Sequence, residues 1–342
     1  MQKRTSISDV AKLAKTSTAT VSRIINDTGY PVSAELRARV LIAIETLHYS
    51  PSIAAQQLKQ DFNPVIGLIA RDISAEFFGE IAKGASEKAL ELGYLSFVCN
   101  TGREPHREMQ YHELLWRNRV KGIVLIGGGF DDDSYRELLH RQIERAKRFG
   151  FRIVANTPQG VDVPCITIDH VATMESVVDY FIDRNHSSIG LITGGANVFT
   201  SMDHFTGYRK SLDKHGIPFD PQLASLAGFT ERVGYDKTKE ILRKRPDVTA
   251  FCCGCEPIAI GLYHAVHEAG LEIPKHISVI SVGDTSVARY TNPALTAVRV
   301  PRYEMGSRAV EMILTKDYTQ HTKIILPTNL IERNSTRVLE DS

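Results

Sequence analysis

Cys252-Cys253-Gly254-Cys255 is the densest run of metal-ligating side chains in this sequence. Its C-C-x-C order lacks the paired C-x2-C spacing of tetrahedral zinc sites, and it closes an apolar run. It therefore reads as the end of a core strand carrying reduced thiols. Gly127-Gly128-Gly129 lacks the further glycine and the downstream acid of a dinucleotide fingerprint, and reads as a strand-end loop lining a cleft. The chain has no Walker A loop, no H-E-x-x-H and no G-x-S-x-G, and its twelve histidines are scattered. No catalytic centre, metal site or cofactor is expected. Arg71, at the end of an apolar run, offers a guanidinium fork for phosphate or carboxylate, unless a neighbouring acid such as Asp72 pairs with it.

The other chemistry on offer is contact with nucleic acid. Ser17, Thr18, Ala19, Ser22, Arg23 and Asn26 form a face of small and polar side chains. Such a face fits a major groove, where hydroxyls, amides and guanidiniums bond phosphates and base edges. Three helices would present it. Ser6-Ile7-Ser8-Asp9 has the order of an N-cap followed by an acid at N3, and Val10, Leu13 and Ala14 give the first helix an apolar side. Ser17 opens the second helix, with Val21, Ile24 and Ile25 inward. Ser33 opens the third, with Leu36, Val40, Ile44 and Leu47 at helical spacing. Short helices joined by tight turns make a helix-turn-helix pattern, with a generic three-helix bundle as the alternative reading. Residues 1–60 hold eight Lys/Arg and four Asp/Glu, a cationic head on a mildly anionic remainder, which suits a polyanionic partner.

Tyr49-Ser50-Pro51 through Lys59 is too short and too polar to hold a helix alone, although Ala54, Ala55 and Leu58 form a narrow apolar strip. Such a segment orders itself against a partner, and an apolar wedge in a minor groove kinks DNA. Beyond residue 62 the pattern changes to alternating strands and helices. The strand-like runs begin at Val65, Leu95, Gly122, Arg152, Cys165, Ile189, Val248 and Ile277, and a helix is expected from Phe77 to Leu92. Eight such units exceed one sheet of ordinary size, so two doubly wound parallel α/β subdomains are expected. Their ligand cleft would lie beyond the carboxyl ends of the strands.

The chain length of 342 residues suits two or three domains, and 42% hydrophobic and 24% charged residues describe a soluble globular protein. No apolar stretch approaches the ~18 residues needed to span a bilayer. The basic N-terminus lacks an apolar signal region, and the five cysteines are an odd count, so a cytoplasmic protein with reduced thiols is expected.

Ser8-Asp9-Val10-Ala11, Ser17 through Asn26, and Pro51 with Ala55-Gln56-Gln57-Leu58 resemble the lactose-repressor (LacI/GalR) family of bacterial transcription regulators. Body motifs such as Phe77-Phe78, Arg119-Val120-Lys121-Gly122-Ile123 and Asn292-Pro293-Ala294-Leu295-Thr296 resemble the periplasmic-binding-protein-like core of that family. The resemblance implies a helix-turn-helix domain over 1–50, a hinge helix and linker over 51–61, and an effector-binding and dimerisation domain over 62–342. It divides the last into subdomains 62–164 with 297–326, and 165–296 with 327–342.

It further implies that Thr18, Ala19 and Arg23 read bases, that Ser6, Ser17, Thr20, Ser22 and Asn26 hold phosphates, and that Ala55 and Leu58 belong to the hinge wedge. Lys15 departs from the glycine usual in the turn before the recognition helix. The implied effector positions are Arg71, Asp72, Phe77, Phe78, Asn156, Thr200, His204, Phe229, Glu256 and Asp284. His204 stands where the family commonly has a ligand-gripping arginine, Glu256 replaces an aspartate, and Asp284 is displaced by one position. With Arg71 free, a phosphorylated or otherwise anionic sugar is the expected effector. The partners implied are double-stranded operator DNA of approximate palindromic symmetry, a sugar or sugar phosphate, and a second copy of the chain. Only five residues follow Arg337, too few for a leucine heptad repeat, so a homodimer rather than a tetramer is expected. The competing classes are a solute-binding protein with a fused head and a sugar-modifying enzyme.

Overall fold

The computed structural model describes residues 5–25, 30–49, 63–315, 319 and 322–340. The chain divides into two compact units, Met1–Asn63 and Pro64–Ser342. In the first, α1 (Ile7–Leu13), α2 (Thr18–Ile25) and α3 (Ala34–Thr46) surround a small core of Val10, Ala11, Ala14, Val21, Ile24, Val40 and Ala43. Each helix is started by a serine. Ser6 and Asp9 complete a capping box, Ser17 Oγ accepts from the Thr20 N–H at 3.1 Å, and Ser33 Oγ accepts from the Leu36 N–H at 3.3 Å.

α1 stops in a Schellman turn: Thr16 N–H donates to Ala11 O at 2.9 Å and Lys15 N–H to Lys12 O at 3.2 Å. Lys15 sits at the left-handed position of this turn, with φ +52. The geometry is the one glycine adopts without cost, so the lysine carries local strain there.

The second unit holds two six-stranded sheets. The first, ordered β11-β5-β4-β3-β1-β2, is built from β1 (Asn63–Ala70), β2 (Leu95–Asn100), β3 (Val120–Ile126), β4 (Arg152–Ala155), β5 (Cys165–Thr167) and β11 (Lys323–Ile325). The second, ordered β12-β10-β9-β8-β6-β7, is built from β6 (Ile189–Thr193), β7 (Ala224–Leu226), β8 (Ala250–Cys253), β9 (Ser278–Gly283), β10 (Thr296–Arg299) and β12 (Asn329–Ile331). Among the described pairings only β12 runs antiparallel, against β10. β3, β6, β8 and β9 are buried almost throughout, which is why they read as continuous apolar runs. Crossover helices cover the sheets: α4 (Glu76–Glu91), α5 (Pro105–Arg117) and α6 (Asp133–Arg148) on the first, and α7 (His170–Ile182), α8 (Phe199–Lys214), α9 (Glu231–Lys244) and α10 (Glu256–Glu268) on the second. The short α11 (Val287–Tyr290) and then α12 (Arg302–Leu314) follow, and α12 returns to pack on α4.

Two expected boundaries move. Cys165 pairs with Ala155 of β4 and with Lys323 of β11, so β5 belongs to the first sheet and the first crossing follows Thr167 rather than residue 164. Thr296–Arg299 pairs in parallel with Ile280–Gly283, so β10 stays in the second sheet and the return crossing follows Arg299 rather than residue 296. Apolar runs flank both points, and hydropathy does not reveal which sheet a strand joins; its hydrogen-bond partners do. The third crossing lies between β11 and β12. No helix among the described residues is long and apolar enough to cross a membrane.

Candidate functional site

The head exposes Ser17, Thr18, Ala19 and Arg23 on the outer side of α2, while Val21 and Ile24 are buried beneath them; Thr20 and Ser22 are half-buried. The Ser6 hydroxyl donates to Asp9 Oδ2 at 2.6 Å, and the Ser17 hydroxyl lies 2.9 Å from that of Thr20, so both also secure helix starts. The Arg23 guanidinium stacks on the ring of Tyr30, 4.2 Å from its centroid. Tyr30 had no part in the sequence reading. Asn26, Ala55, Leu58 and the whole 51–61 segment lie outside the described residues.

The ends of strands from both sheets converge on a cavity of about 90 Å³. From the first subdomain come Phe77 and Phe78 in the first turn of α4, Gly127 and Gly128 after β3, and Thr157 after β4. From the second come His170 at the start of α7, Thr200 and His204 in the first turns of α8, Phe229 after β7, and Cys255 after β8. Ile168 and Val300, on two of the crossings, complete the wall with Val282. Such a placement follows from the winding of parallel sheets, which gathers loops at the strands' carboxyl ends.

Phe77, Phe78, Thr200, His204 and Phe229, five of the ten positions named from sequence, therefore line one cavity. The other five do not. Arg71 is 5% exposed and fully engaged. Its guanidinium is ion-paired with Glu108 and donates to the Tyr135 hydroxyl at 2.8 Å and to Gly128 O at 3.0 Å. Burial opposes the arginine's charge most strongly, but Glu108 and Tyr135 together outweigh it and the pKa is raised. The expected free fork is thus absent, and the partner is Glu108 of α5 rather than Asp72. Asp72 instead accepts from Ser74 N–H at 3.1 Å and stands 3.9 Å from Arg103.

Asn156 is buried and donates to Met305 O at 2.9 Å, tying β4 to α12. Glu256 is buried and accepts from Thr285 N–H at 3.0 Å; burial raises its pKa. Asp284 accepts from Arg299 at 2.7 Å and Arg333 at 2.6 Å. Burial pushes its pKa up, but the two guanidiniums prevail and hold it low.

The Arg71–Glu108 pair has a positional consequence. Gln159 accepts from the Tyr135 hydroxyl at 3.1 Å and donates to Gly127 O at 2.8 Å, so one buried network holds two carbonyls of the glycine loop. At Gly127, with φ +112, a Cβ would fall 2.3 Å from Arg71 Cγ, and only glycine lets the loop lie this close. Across the cavity, a Cβ on Gly194 would fall 1.9 Å from the Phe229 ring. The loop also meets the other subdomain directly: Phe199 N–H donates to Gly129 O at 3.2 Å and Asp131 N–H to Asn197 O at 2.7 Å.

His170 and His204 are both buried, with ring centroids 5.6 Å apart. Burial lowers their pKa values to about 4 and about 3. Neither ring nitrogen of His170 has a partner, nor does Nε2 of His204, whose Nδ1 lies 3.1 Å from the Thr193 hydroxyl. His170 was missed from sequence, although it follows the Ile168-Asp169 strand end directly. Cys252 and Cys253 are buried in β8, and burial lifts the Cys255 thiol to about 12. Among the described residues no cluster of three or more His, Cys, Asp or Glu is placed to hold a metal ion.

The family model for bacterial regulatory proteins of the lacI family matches residues 6–52, and the periplasmic binding protein-like domain model matches residues 178–336. The transcriptional regulator RegA of Clostridium saccharobutylicum is 30% identical over 97% of this chain and 99% of its own. This chain belongs to the lacI family. Members of the family are transcriptional regulators and not enzymes. The fold is that of the lac repressor dimer bound to operator and the anti-inducer ONPF, with a TM-score of 0.87 at 22% identity over 98% of this chain and 100% of that one. The complex of the regulator CelR with cellobiose aligns with a TM-score of 0.71 at 24% identity, over 97% and 100% of the two chains. This lacI-family chain therefore couples a DNA-binding head to a ligand-binding body.

Proposed function

We propose that the protein is a repressor that binds an approximately palindromic operator as a homodimer, and that a sugar taken into the cavity between the two subdomains controls this binding. The carrying observation is the cavity itself: aromatic rings from both subdomains meet there, beside two buried histidines of the second, in a chain whose head belongs to a DNA-binding family. A buried polar atom without a partner is costly, so a bound molecule that supplies one favours the geometry in which the walls are together. The cellobiose complex of CelR supports a sugar as the occupant. Thr18, Ala19 and Arg23 are proposed to read bases, Ser6, Ser17, Thr20, Ser22 and Asn26 to hold phosphates, and Ala55 and Leu58 to wedge the minor groove.

The test is selection of duplexes from a random pool by the purified full chain, followed by titration at several salt concentrations. Recovery of a palindrome, bound with a steep negative salt dependence, is the expected result. Arg23→Ala is expected to relax base preference, and Leu58→Ala to lower affinity and bending. Equal affinity for selected and bulk DNA at moderate salt overturns the reading.

A further inference from the structure

A second pocket, of about 340 Å³, opens at the crossings and shares only Val300 with the cavity described above. Its walls come from both subdomains: Glu80 on α4, Asp284 after β9, Arg289 on α11 and Arg299 at the end of β10. Val300 and Pro301 lie on the return crossing and Pro327 on the third, while Arg302 and Tyr303 open α12.

Three arginines line this pocket, and they are committed to different degrees. Arg302 is buried and fully used. It is ion-paired with Glu80 and donates to Gly283 O and, at 3.2 Å, to Asp284 O, so it forms the wall and ties α4 to the end of β9. Arg299 is half exposed; its Nε donates to Asp284 at 2.7 Å, and neither terminal amino group has a partner among the described residues. Arg289 is exposed, and among the described residues its guanidinium has no ion pair or hydrogen bond.

The acids of the pocket are already taken. Glu80 is held by Arg302, Glu304 pairs with Arg308 at 2.7 Å, and Asp284 also accepts from Arg333 at 2.6 Å. Glu76, outside the lining, accepts from Ser286 N–H at 2.7 Å. Cations therefore outnumber carboxylates here, and the two with donors to spare are Arg289 and Arg299. Planar guanidinium forks accept phosphate oxygens in pairs, and the nearly two negative charges of a phosphate monoester offset the local excess of cations. A carboxylate brings fewer oxygens and a single charge, and fits less well.

We propose that this pocket is a second ligand site, which takes the phosphate group of a small organic phosphate between Arg289 and Arg299. Pro301, Tyr303 and Pro327 form the flank for its carbon skeleton. Occupancy braces the crossings, because Arg289 and Arg299 belong to the second subdomain while Glu80 and Arg302 tie the same wall to the first. Val300 lines both pockets, so a ligand that favours one arrangement of the crossings biases the effector cavity as well, and linkage makes the effect reciprocal. The site itself does not depend on the regulator reading; its influence on operator binding does.

The experiment titrates the full chain with phenyl phosphate by isothermal calorimetry at constant ionic strength, with benzoate and phenol for comparison. Saturable binding of one phenyl phosphate per chain is expected, with benzoate roughly tenfold weaker or more and phenol silent. Arg289→Gln and Arg299→Gln are each expected to weaken phenyl phosphate by roughly tenfold or more. Arg141→Gln, at an exposed arginine of α6, leaves binding unchanged. A native far-UV spectrum and unfolding midpoint show that Arg289→Gln is folded. Saturating phenyl phosphate is expected to shift operator affinity by roughly threefold or more in the natural chain and not in Arg289→Gln. No saturable binding overturns the site, as does binding that Arg289→Gln leaves intact or that Arg141→Gln weakens equally. An operator affinity that phenyl phosphate leaves unchanged overturns the coupling. Failure to recover any operator removes the regulator reading alone, since calorimetry on this pocket needs no DNA.

Discussion

Glu108, on α5, places its carboxylate against the guanidinium of Arg71 at the end of β1, with both side chains buried. Removing one member of such a pair strands the other charge in a low dielectric, typically at a cost of about 3–5 kcal/mol. Glu108→Gln is therefore expected to destabilise the body by roughly that amount in urea titration. The double substitution Arg71→Met with Glu108→Leu should recover most of the loss. A single-variant loss under about 1 kcal/mol would mean the guanidinium had found another acceptor or water.

In the head, Arg23 rests on the face of Tyr30. An exposed cation–π contact contributes about 0.5–1 kcal/mol, enough to pre-orient a side chain that must meet a base edge in one plane. Tyr30→Ala is expected to lower preference for the selected operator over random DNA by roughly two- to five-fold, the equivalent of that energy. Tyr30→Phe keeps the ring face and should keep the preference. Competition binding by fluorescence anisotropy reads the ratio directly, and an unchanged ratio in Tyr30→Ala would remove the positioning role.

The left-handed lysine between α1 and α2 predicts a stabilising substitution. With φ +52, Lys15 occupies a conformation that glycine reaches freely. Lys15→Gly is expected to stabilise the head by about 0.5–1 kcal/mol, after allowance for the freer unfolded chain. Hydrogen exchange of α1 and α2 amides should slow accordingly. Faster exchange would show that the turn is set by contacts other than its backbone geometry.

Four buried histidines give the body a pH-dependent stability. Desolvation lowers the pKa of His112 to about 4, of His170 to about 4 and of His204 to about 3, and it lowers that of His186 as well. In the unfolded chain each returns to roughly 6.5 and binds a proton that the fold refuses. Their stabilisation is therefore full above about pH 6.5 and falls as pH drops towards 4, by at most about 1.4 kcal/mol per unit for each residue. Urea midpoints measured from pH 7 to pH 5 should decline, and His170→Phe should flatten the decline. Equal midpoints at pH 7 and pH 5 would show that the rings are hydrated in the folded state.

The head was largely legible in the sequence because its determinants are local. Ser6, Ser17 and Ser33 begin their helices three residues from the amides they cap, and Val21 and Ile24 lie one turn apart. In the body, the long buried strands were equally plain, since parallel strands covered on both faces are continuously apolar. Three-residue strands such as β7, β11 and β12 carry too little pattern to stand out.

Tertiary structure decided what depends on distant partners. Whether Cys165–Thr167 and Thr296–Arg299 belonged to one sheet or the other followed from pairing with β11, more than a hundred residues away, in the first case and with β9 in the second. Arg71 looked like a ligand-gripping fork because Glu108, 37 residues away, is invisible as a partner until α5 folds against the sheet. His170 became notable only when burial left its nitrogens unpartnered beside His204. Residue types fixed what chemistry was available, and long-range packing determined which charges were neutralised and which polar atoms were left without a partner.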